Sequence, residues 1–159
     1  MKITDIKTIK LHYPYKSWIV DGCGSCGARG AFLIFIETDT ELTGIGEAAT
    51  FGSSMEAMES IVEKQLKPLL LEEDPSKIEF LHQKMLWNCW ANGRQGMVMG
   101  AISGIDVALW DLLGKAAKLP GLQAFGPGGR PGAGICKCWI LCKGKELGRS
   151  AKRNRRISG

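Results

Sequence analysis

Two cysteines three residues apart, Cys23 and Cys26, are the residues of this sequence that most readily suggest chemistry. A C-x-x-C pair can act as a redox dithiol or form half of a structural zinc site. Such a zinc site needs four ligands, and the remaining candidates are two histidines, Cys89 on a predicted apolar helix face, and three cysteines near the C-terminus. A redox dithiol usually begins a helix, whereas the segment around this pair is rich in glycine. We therefore expect an ordinary loop role for the pair and predict no metal ligand.

Acidic residues offer a second possibility, because paired carboxylates can share general acid and general base roles. The candidates are Glu47, within "GIGEA", and the pair Asp106 and Asp111. Asp106 and Asp111 are five residues apart on a predicted helix, so they lie on different faces. We expect these acids to pair with Lys115 and with backbone groups, and we predict no catalytic residue among them. The glycines around the cysteine pair lack the lysine and the strand–loop–helix context of a phosphate-binding loop.

Charge divides the 159-residue chain into two parts. Residues 1–120 contain 12 basic and 15 acidic residues, whereas residues 121–159 contain 9 basic residues, 9 glycines and one acid. The first part has the composition of an ordinary domain with reduced cysteines and lacks the apolar segment of a signal peptide, so a cytoplasmic protein is expected. No uninterrupted apolar run approaches the length of about 20 residues that spans a bilayer, so no membrane partner is expected.

Hydrophobic patterning predicts an α+β fold. Three strands with alternating or β-rich sequence come first, and three helices with an apolar period of about 3.6 residues follow. The strands are expected at residues 3–13, 31–39 and 44–49, with a long loop over residues 13–30. This order predicts a three-stranded antiparallel meander followed by three helices that pack against it.

Capping signals predict where the helices begin. Ser53 and Glu56 fit a capping box for the first helix, and Asp74 followed by Pro75 fits the start of the second. The third helix is expected from about residue 97 to residue 117, and it is apolar on most sides, so it should be largely buried. The predicted apolar faces are Met58, Val62, Leu66 and Leu69 in the first helix, Ile78, Leu81, Met85 and Cys89 in the second, and Val98, Ala101, Ile105, Leu109 and Leu112 in the third.

The third helix carries a specific pattern, "AISGIDVALWDLLGKAAKLP", at residues 101–120. This pattern resembles the signature of the enolase superfamily, in the version carried by mandelate racemase, muconate lactonizing enzyme and the acid-sugar dehydratases. The stretches "IETDTELTGIGEA" at residues 36–48 and "GMVMGAISGID" at residues 96–106 support the resemblance. It covers residues 1–120 and implies the N-terminal capping domain of that superfamily.

The resemblance also implies a reaction. Members of the family remove the proton α to a carboxylate with the help of Mg²⁺ and a Lys or His base, and so act as racemases, epimerases or dehydratases of hydroxy acids or sugar acids. Their metal ligands and bases lie in a barrel domain that would follow Pro120, so the resemblance assigns neither a catalytic residue nor a cofactor to this chain. The capping domain instead supplies two loops that close over the substrate, here about residues 15–29 and 49–54. Their candidate substrate contacts are Lys16, Trp18, Ile19, Val20, Arg29 and Phe51.

The resemblance stops after Pro120, where Gly121 and Ala124 replace an aliphatic residue and a leucine of the signature. Reading the codons one nucleotide later explains this change. In that frame "GLQAFG" permits "VYKLLG", and "ICKCWILCKG" permits "YASVGFYAKG", which resembles the first strand of the superfamily barrel. We therefore predict that residues 121–159 are an out-of-frame, disordered tail, that the barrel is absent, and that the chain alone is inactive.

Other functions remain open on the residues alone. The capping domain could be an assembly module that forms a homo-oligomer or associates with barrel-containing relatives. The basic tail could bind RNA or anionic lipid through residues 149–156, although no specific nucleic-acid site is predicted. Trp18 and Phe51 could also pack only against their own loops and make no contact with a substrate.

Overall fold

The computed structural model describes four stretches of the chain, residues 1–21, 24–50, 54–92 and 95–118. Three antiparallel strands begin the fold: β1 (Ile3–Asp21), β2 (Gly24–Thr38) and β3 (Thr43–Ala48). β2 is the central strand and pairs with both neighbours, so the strand order is β1-β2-β3. The predicted three-stranded meander is therefore confirmed.

The predicted loop over residues 13–30 is wrong within the described residues. β1 and β2 continue through this region as a long hairpin, in which Pro14 lies opposite Ala28. The register shifts between Pro14 and Ile19. Proline cannot donate a ladder hydrogen bond, but an edge strand such as β1 tolerates it. One proline and several glycines favoured a loop locally, whereas pairing between the two strands overrides that preference.

Helices follow the sheet, as the sequence predicts, and the α+β class is confirmed. The helical elements in chain order are α1 (Met55–Ile61), a π-helical turn (Val62–Leu66), α2 (Lys67–Leu70), α3 (Ile78–Asn88), a 3₁₀ turn (Trp90–Asn92) and α4 (Met97–Ala116). α1, the π-helical turn and α2 follow one another without a break, and together they correspond to the first predicted helix.

Two predicted helix starts are corrected. Ser54 is the N-cap of α1, because its Oγ accepts a hydrogen bond from the Ala57 backbone N–H at 3.3 Å. The predicted cap, Ser53, lies outside the described residues. Asp74 forms a turn and does not cap α3, because its carboxylate accepts hydrogen bonds from the backbone N–H (3.0 Å) and the hydroxyl (2.8 Å) of Ser76. α3 therefore begins about one turn later than predicted.

The hydrophobic core lies between the sheet and the helices, and most of the predicted apolar positions are buried in it. Leu69 and Val98 are the exceptions, since both are only partly buried. Leu70 is fully buried where Leu69 was expected. A π-helical turn contains more residues than an α-helical turn, so the buried stripe continues from Leu66 to Leu70.

α4 lies so close to β3 that backbone atoms of the two elements meet. β3 presents Gly44 and Gly46 to the helix, and α4 presents Gly104 to the sheet. A Cβ atom on Gly46 would overlap the Gly104 carbonyl oxygen, and one on Gly104 would lie 2.9 Å from both Ala48 Cβ and Ile34 Cδ1. This close contact therefore requires glycine at these positions, because glycine has a hydrogen atom where other residues have Cβ.

α4 is also long and apolar enough to cross a bilayer by composition, with a mean hydropathy of 1.5. The helix is not an uninterrupted apolar run, because it contains Asp106, Asp111 and Lys115. Ile105, Leu109 and Leu112 are fully buried against the rest of the domain, so core packing accounts for the apolar composition of the helix. On its other sides Ile102 is fully buried and Trp110 and Leu113 are partly buried, so the predicted burial on most sides is confirmed, with Val107, 46% exposed, as an exception.

Candidate functional site

The distal half of the β1–β2 hairpin, residues 13–21 and 24–29, is called the hairpin arm below. It replaces the first predicted substrate loop with two paired strands. Lys16, Val20 and Arg29 are exposed on this arm. Phe51 lies outside the described residues. The other five predicted contact residues are all strand residues of the arm: Lys16, Trp18, Ile19 and Val20 on β1, and Arg29 on β2.

The second predicted loop, residues 49–54, is joined to the base of the hairpin arm. The Thr50 hydroxyl donates a hydrogen bond to the Gly30 carbonyl oxygen at 3.2 Å. Gly30 itself is closely packed, because a Cβ atom there would lie 3.4 Å from Met55 Cε at the start of α1. The two segments predicted to contact substrate therefore meet at Gly30.

A shallow pocket of about 220 Å³ lies at this junction. Tyr13 and Arg29 are direct cross-strand partners, so their side chains share one face of the hairpin. His12 lies opposite Gly30 on the other face. Ligand pockets commonly measure about 300–1,000 Å³, so this one can accommodate only one end of a ligand. The lining residues are Leu11, His12, Tyr13, Arg29, Gly30 and Ala31.

The polar groups of this pocket suit an oxygen-rich ligand. The Arg29 guanidinium is permanently charged and presents donors in a fork that matches a carboxylate. Tyr13, on the same face as Arg29, adds a phenolic hydroxyl that can donate or accept a hydrogen bond, whereas the imidazole of His12 lies on the other face of the hairpin. The pocket can therefore hold an anionic or hydroxylated group, but it contains no arrangement of acid and base that would transfer a proton.

His12 and Tyr13 are pocket residues that the sequence pattern does not predict, because its apolar alternation ends at residue 13. The residue type of His12 by itself suggests only a possible zinc ligand. The run "HYPYK" could have indicated a continued edge strand, since edge strands tolerate proline and carry exposed aromatic and basic side chains. The hydrogen bond between Thr50 and Gly30 has no signature in the local sequence.

A larger groove of about 580 Å³ runs along β1 beside α1, and its charged groups are already paired. Lys67 Nζ lies 2.6 Å from Asp5 Oδ1 and 3.3 Å from Glu63 Oε2. The hydrogen bond from Lys67 lowers the pKa of the Asp5 carboxyl below its usual value. At the end of the groove, Lys10 Nζ lies 2.6 Å from Glu59 Oε2. Because these charges satisfy one another, we assign the groove a structural role.

The acids of α4 also have structural partners; the predicted partners, Lys115 and backbone, are confirmed for Asp111, whereas Asp106 lies against His82 instead. Asp111 accepts a hydrogen bond from the Ile45 backbone N–H at 2.9 Å and lies 2.7 Å from Lys115 Nζ. Asp106 Oδ1 lies 3.1 Å from His82 Nδ1. Among the residues that the structure describes, no three His, Cys, Asp or Glu side chains are grouped so that they could hold a metal ion.

Cys89 is the cysteine whose side chain the structure describes. Cys23 lies outside the described residues, and Cys26 pairs with Ile19 in the hairpin ladder, so a strand replaces the loop expected there. Cys89 is buried at the end of α3, and this burial raises the pKa of its thiol. A raised thiol pKa disfavours the thiolate, which is the reactive form.

The meander, the helices that follow it and the two segments joined at Gly30 define an α+β domain that can cover a ligand but has no reactive cluster among its described residues. Residues 6–126 match the family described as "Mandelate racemase / muconate lactonizing enzyme, N-terminal domain". The chain therefore belongs to the mandelate racemase / muconate lactonizing enzyme family, within the enolase superfamily.

Several relatives share this domain. A Saccharolobus solfataricus protein named arabinonate dehydratase is 44% identical over 128 residues, which cover 78% of this chain and 34% of that protein. A Xanthomonas oryzae protein named D-mannonate dehydratase is 34% identical over 113 residues, covering 69% of this chain and 26% of the relative. The chain thus spans about a third or less of the length of these relatives.

Solved structures show the same domain. An enolase-superfamily member from a Polaromonas species aligns with a TM-score of 0.68 and 36% identity, over 74% of this chain and 31% of that one. A racemase from Streptomyces coelicolor, solved with bound magnesium, aligns with a TM-score of 0.68 and 32% identity, over 72% of this chain and 32% of that one. The fold described above is therefore that of the N-terminal domain of these proteins.

Proposed function

We propose that this chain is the substrate-selecting domain of an enzyme that acts on sugar acids or related hydroxy acids. The observation that carries the proposal is the junction at Gly30, where the hairpin arm meets Thr50 beside a pocket that contains Arg29. The names of the dehydratase relatives support the substrate class. A domain of this kind selects a substrate by contacting the part that does not react and by excluding water from the part that does.

Specific residues would divide these tasks. Arg29, with its fixed charge, would bind an acidic or hydroxylated end of the substrate, and Tyr13, on the same face of the hairpin, would add a hydrogen bond. Lys16 and Val20, farther along the arm, would contact the substrate or the rim of the catalytic domain when the arm closes. Contacts to the non-reacting part of the substrate accelerate the reaction when they are present in the transition state. Because kcat/KM measures how strongly the enzyme stabilises the transition state, removing such a contact should reduce kcat/KM.

The proposed reaction of the complete enzyme is removal of the proton α to the substrate carboxylate, with racemisation, epimerisation or dehydration as its outcome. Mg²⁺ stabilises the negative charge that develops in reactions of this kind. The described residues do not fit a magnesium site, because the carboxylates of Asp5, Asp106 and Asp111 are engaged by lysine, histidine or backbone groups. We therefore assign the metal ligands and the catalytic base to a barrel domain and derive no catalytic step from this chain.

The change in charge and glycine content after Pro120 leads to the second part of the proposal, which concerns the missing barrel. The codon restrictions on residues 121–126 and 135–144 allow family-like sequence in a frame one nucleotide later, and both stretches require the same shift. We propose that a frameshift at this position separates the domain from its barrel. Sequencing the genomic DNA beyond the stop codon tests this directly: a barrel-encoding frame should follow, and its absence would overturn the frameshift.

Activity provides the functional test. The chain itself should catalyse no Mg²⁺-dependent exchange of an α-proton with deuterated water on any sugar acid. Deleting one nucleotide near codon 121 should restore a full-length protein that dehydrates or racemises a five- or six-carbon sugar acid in a Mg²⁺-dependent manner. In that protein Arg29→Gln should lower kcat/KM at least about tenfold, whereas Lys64→Gln, on the exposed side of the π-helical turn, should not. An inactive but folded full-length protein would refute the proposed reaction, and equal kcat/KM for the two variants would refute the role of Arg29.

A further inference from the structure

The side of the sheet that faces away from the helices carries a compact apolar surface. Ladder register places Lys7, Phe35 and Ile45 in one cross-strand row, and Ile9, Leu33 and Glu47 in the next. Directly opposed residues on neighbouring strands project to the same side of a sheet, so these six side chains share one face. Ile9 and Ile45 are 46% and 40% exposed. We call this set of six residues the outer sheet face.

The central strand indicates that this face is normally covered. Phe32, Ile34 and Ile36 on β2 are fully buried beneath the helices, while the intervening Leu33 and Phe35 belong to the outer sheet face. Antiparallel sheets that face water on one side usually alternate apolar and polar residues, whereas strands buried on both sides are continuously apolar. The run at residues 31–36, "AFLIFI", therefore has the pattern of a strand with protein on both sides.

The charges on this face have a pattern that a second copy of the chain can match. Lys7 and Glu47 occupy diagonally opposite corners, and the four apolar side chains lie between them. Lys7 already forms an ion pair with Glu37 at 2.6 Å, and two of its three donors remain for a second acceptor. Among the described residues, no ion pair involves Glu47.

Two-fold symmetry satisfies both corners at once. In an isologous interface each contact between one residue and another occurs twice. If two outer sheet faces pack with the symmetry axis along the line from Ile9 to Ile45, Lys7 of each copy meets Glu47 of the other. Ile9 then packs on its symmetry mate, as does Ile45. We propose that this face is a homodimer interface with two reciprocal Lys7–Glu47 ion pairs.

The size of the face sets the expected affinity. β2 and β3 pair over residues 32–37, a length of about 20 Å at ~3.3 Å per residue. With three strands about 4.8 Å apart, the face covers on the order of 300 Å² per copy, well below the ~800 Å² of a standard stable interface. The dimer should therefore be weak.

A second exposed apolar surface provides the competing explanation for any self-association. Phe80, Trp87 and Trp90 on α3 and the following turn are 56%, 65% and 67% exposed. This aromatic stripe lies on the helical layer and carries none of the paired corner charges described above. Variants of each surface therefore distinguish the two.

Sedimentation equilibrium of the full chain, from about 5 to 300 μM at physiological salt, tests the proposal. Wild-type protein should be a monomer–dimer mixture. Ile9→Lys, Lys7→Glu and Glu47→Lys should each raise the Kd at least about tenfold, and the double variant Lys7→Glu/Glu47→Lys should return it to within about threefold of wild type. Lys64→Glu and Trp87→Ser, which leave the outer sheet face intact, should not change the Kd. Circular dichroism melting curves establish that each variant is folded.

Three results would overturn the interface. The first is a wild-type chain that stays monomeric up to the highest concentration. The second is loss of association in Trp87→Ser while Ile9→Lys still dimerises, which would assign the interface to α3. The third is a folded double variant that dimerises no better than either single charge reversal, which would remove the reciprocal ion pairs. Nonspecific hydrophobic association does not depend on which residue carries which charge, so it cannot explain restored dimerisation in the double variant.

Discussion

The backbone contact between β3 and α4 predicts that adding a single carbon atom at Gly46 strongly destabilises the fold. In Gly46→Ala the new Cβ atom would overlap the Gly104 carbonyl oxygen and lie 2.8 Å from the Ala108 backbone nitrogen. Both obstacles are backbone atoms of a helix, so no side chain can rotate away to make room. The helix must move off the sheet instead, and that movement opens gaps around Ile34 and Ile105 in the core.

The expected cost can be estimated from overpacking in other cores. Inserting extra methylene groups into a well-packed interior costs about 1–3 kcal/mol, and collision with backbone belongs at the upper end of that range. We therefore expect Gly46→Ala to lower the free energy of unfolding by about 3 kcal/mol. For a domain of this size the melting temperature should fall by more than about 10 °C.

Gly100→Ala, on the same helix, is the matched control. Its Cβ atom would lie 3.3 Å from the Ala49 carbonyl oxygen and 3.4 Å from Met58 Cε, which is a flexible side-chain atom. Replacing glycine by alanine inside a helix gains up to about 1 kcal/mol, so this variant should unfold within about 1 kcal/mol of wild type. Urea denaturation followed by circular dichroism measures both. Equal effects of the two substitutions, or a Gly46→Ala change below about 1 kcal/mol, would refute the close-contact argument.

Three further predictions concern charge, burial and the C-terminal region. Lys67 lowers the pKa of Asp5, so this pair stabilises the fold above the ordinary carboxyl pKa of 3.8 and stops doing so as pH falls through the lowered value. Asp5→Asn should therefore reduce stability at neutral pH and flatten its decline below pH 3.8, and an unchanged pH profile in urea titrations would contradict this. Burial raises the pKa of the Cys89 thiol, so iodoacetamide should label it at least about 100-fold more slowly in the native chain than in urea. Peptide mass spectrometry measures the labelling rate, and equal rates in the two conditions would show that the thiol is accessible. Limited trypsin digestion should leave a resistant fragment ending near Lys115 or Lys118, and protection of the basic residues beyond 130 would contradict an out-of-frame tail.

The helical part of the fold was readable from the sequence because its signals are local. The apolar period of α3 and α4 identified their buried faces, including Cys89 and Leu112. The ends of the helices were less predictable, because neighbouring residues compete for the same role. Asp74 can cap a helix or close a turn with Ser76, and only the folded geometry selects the turn.

The candidate site was only partly readable, because it depends on pairing between distant residues. The family resemblance placed Lys16 and Arg29 in the same predicted substrate loop. Local composition then suggested a loop, whereas the register that places Arg29 opposite Tyr13 is set by the whole hairpin. The Thr50–Gly30 hydrogen bond joins residues 20 positions apart, so it produces no periodic pattern in the sequence from which it could be predicted.

The packing of α4 on β3 has a consequence for how a changed gene could still yield a folded product. Gly46 and Gly104 touch across a separation of 58 positions, so the sheet receives its helical cover only after nearly the whole domain has been synthesised. A reading-frame change upstream of residue 97 would remove α4 and leave an open sheet, which proteases and aggregation would eliminate. Pro120 lies four residues beyond the end of α4, and the last buried residue of the described core is Leu112. The frameshift proposed above would therefore leave every residue of the described core unchanged, so the truncated product would still contain the complete set of these core contacts.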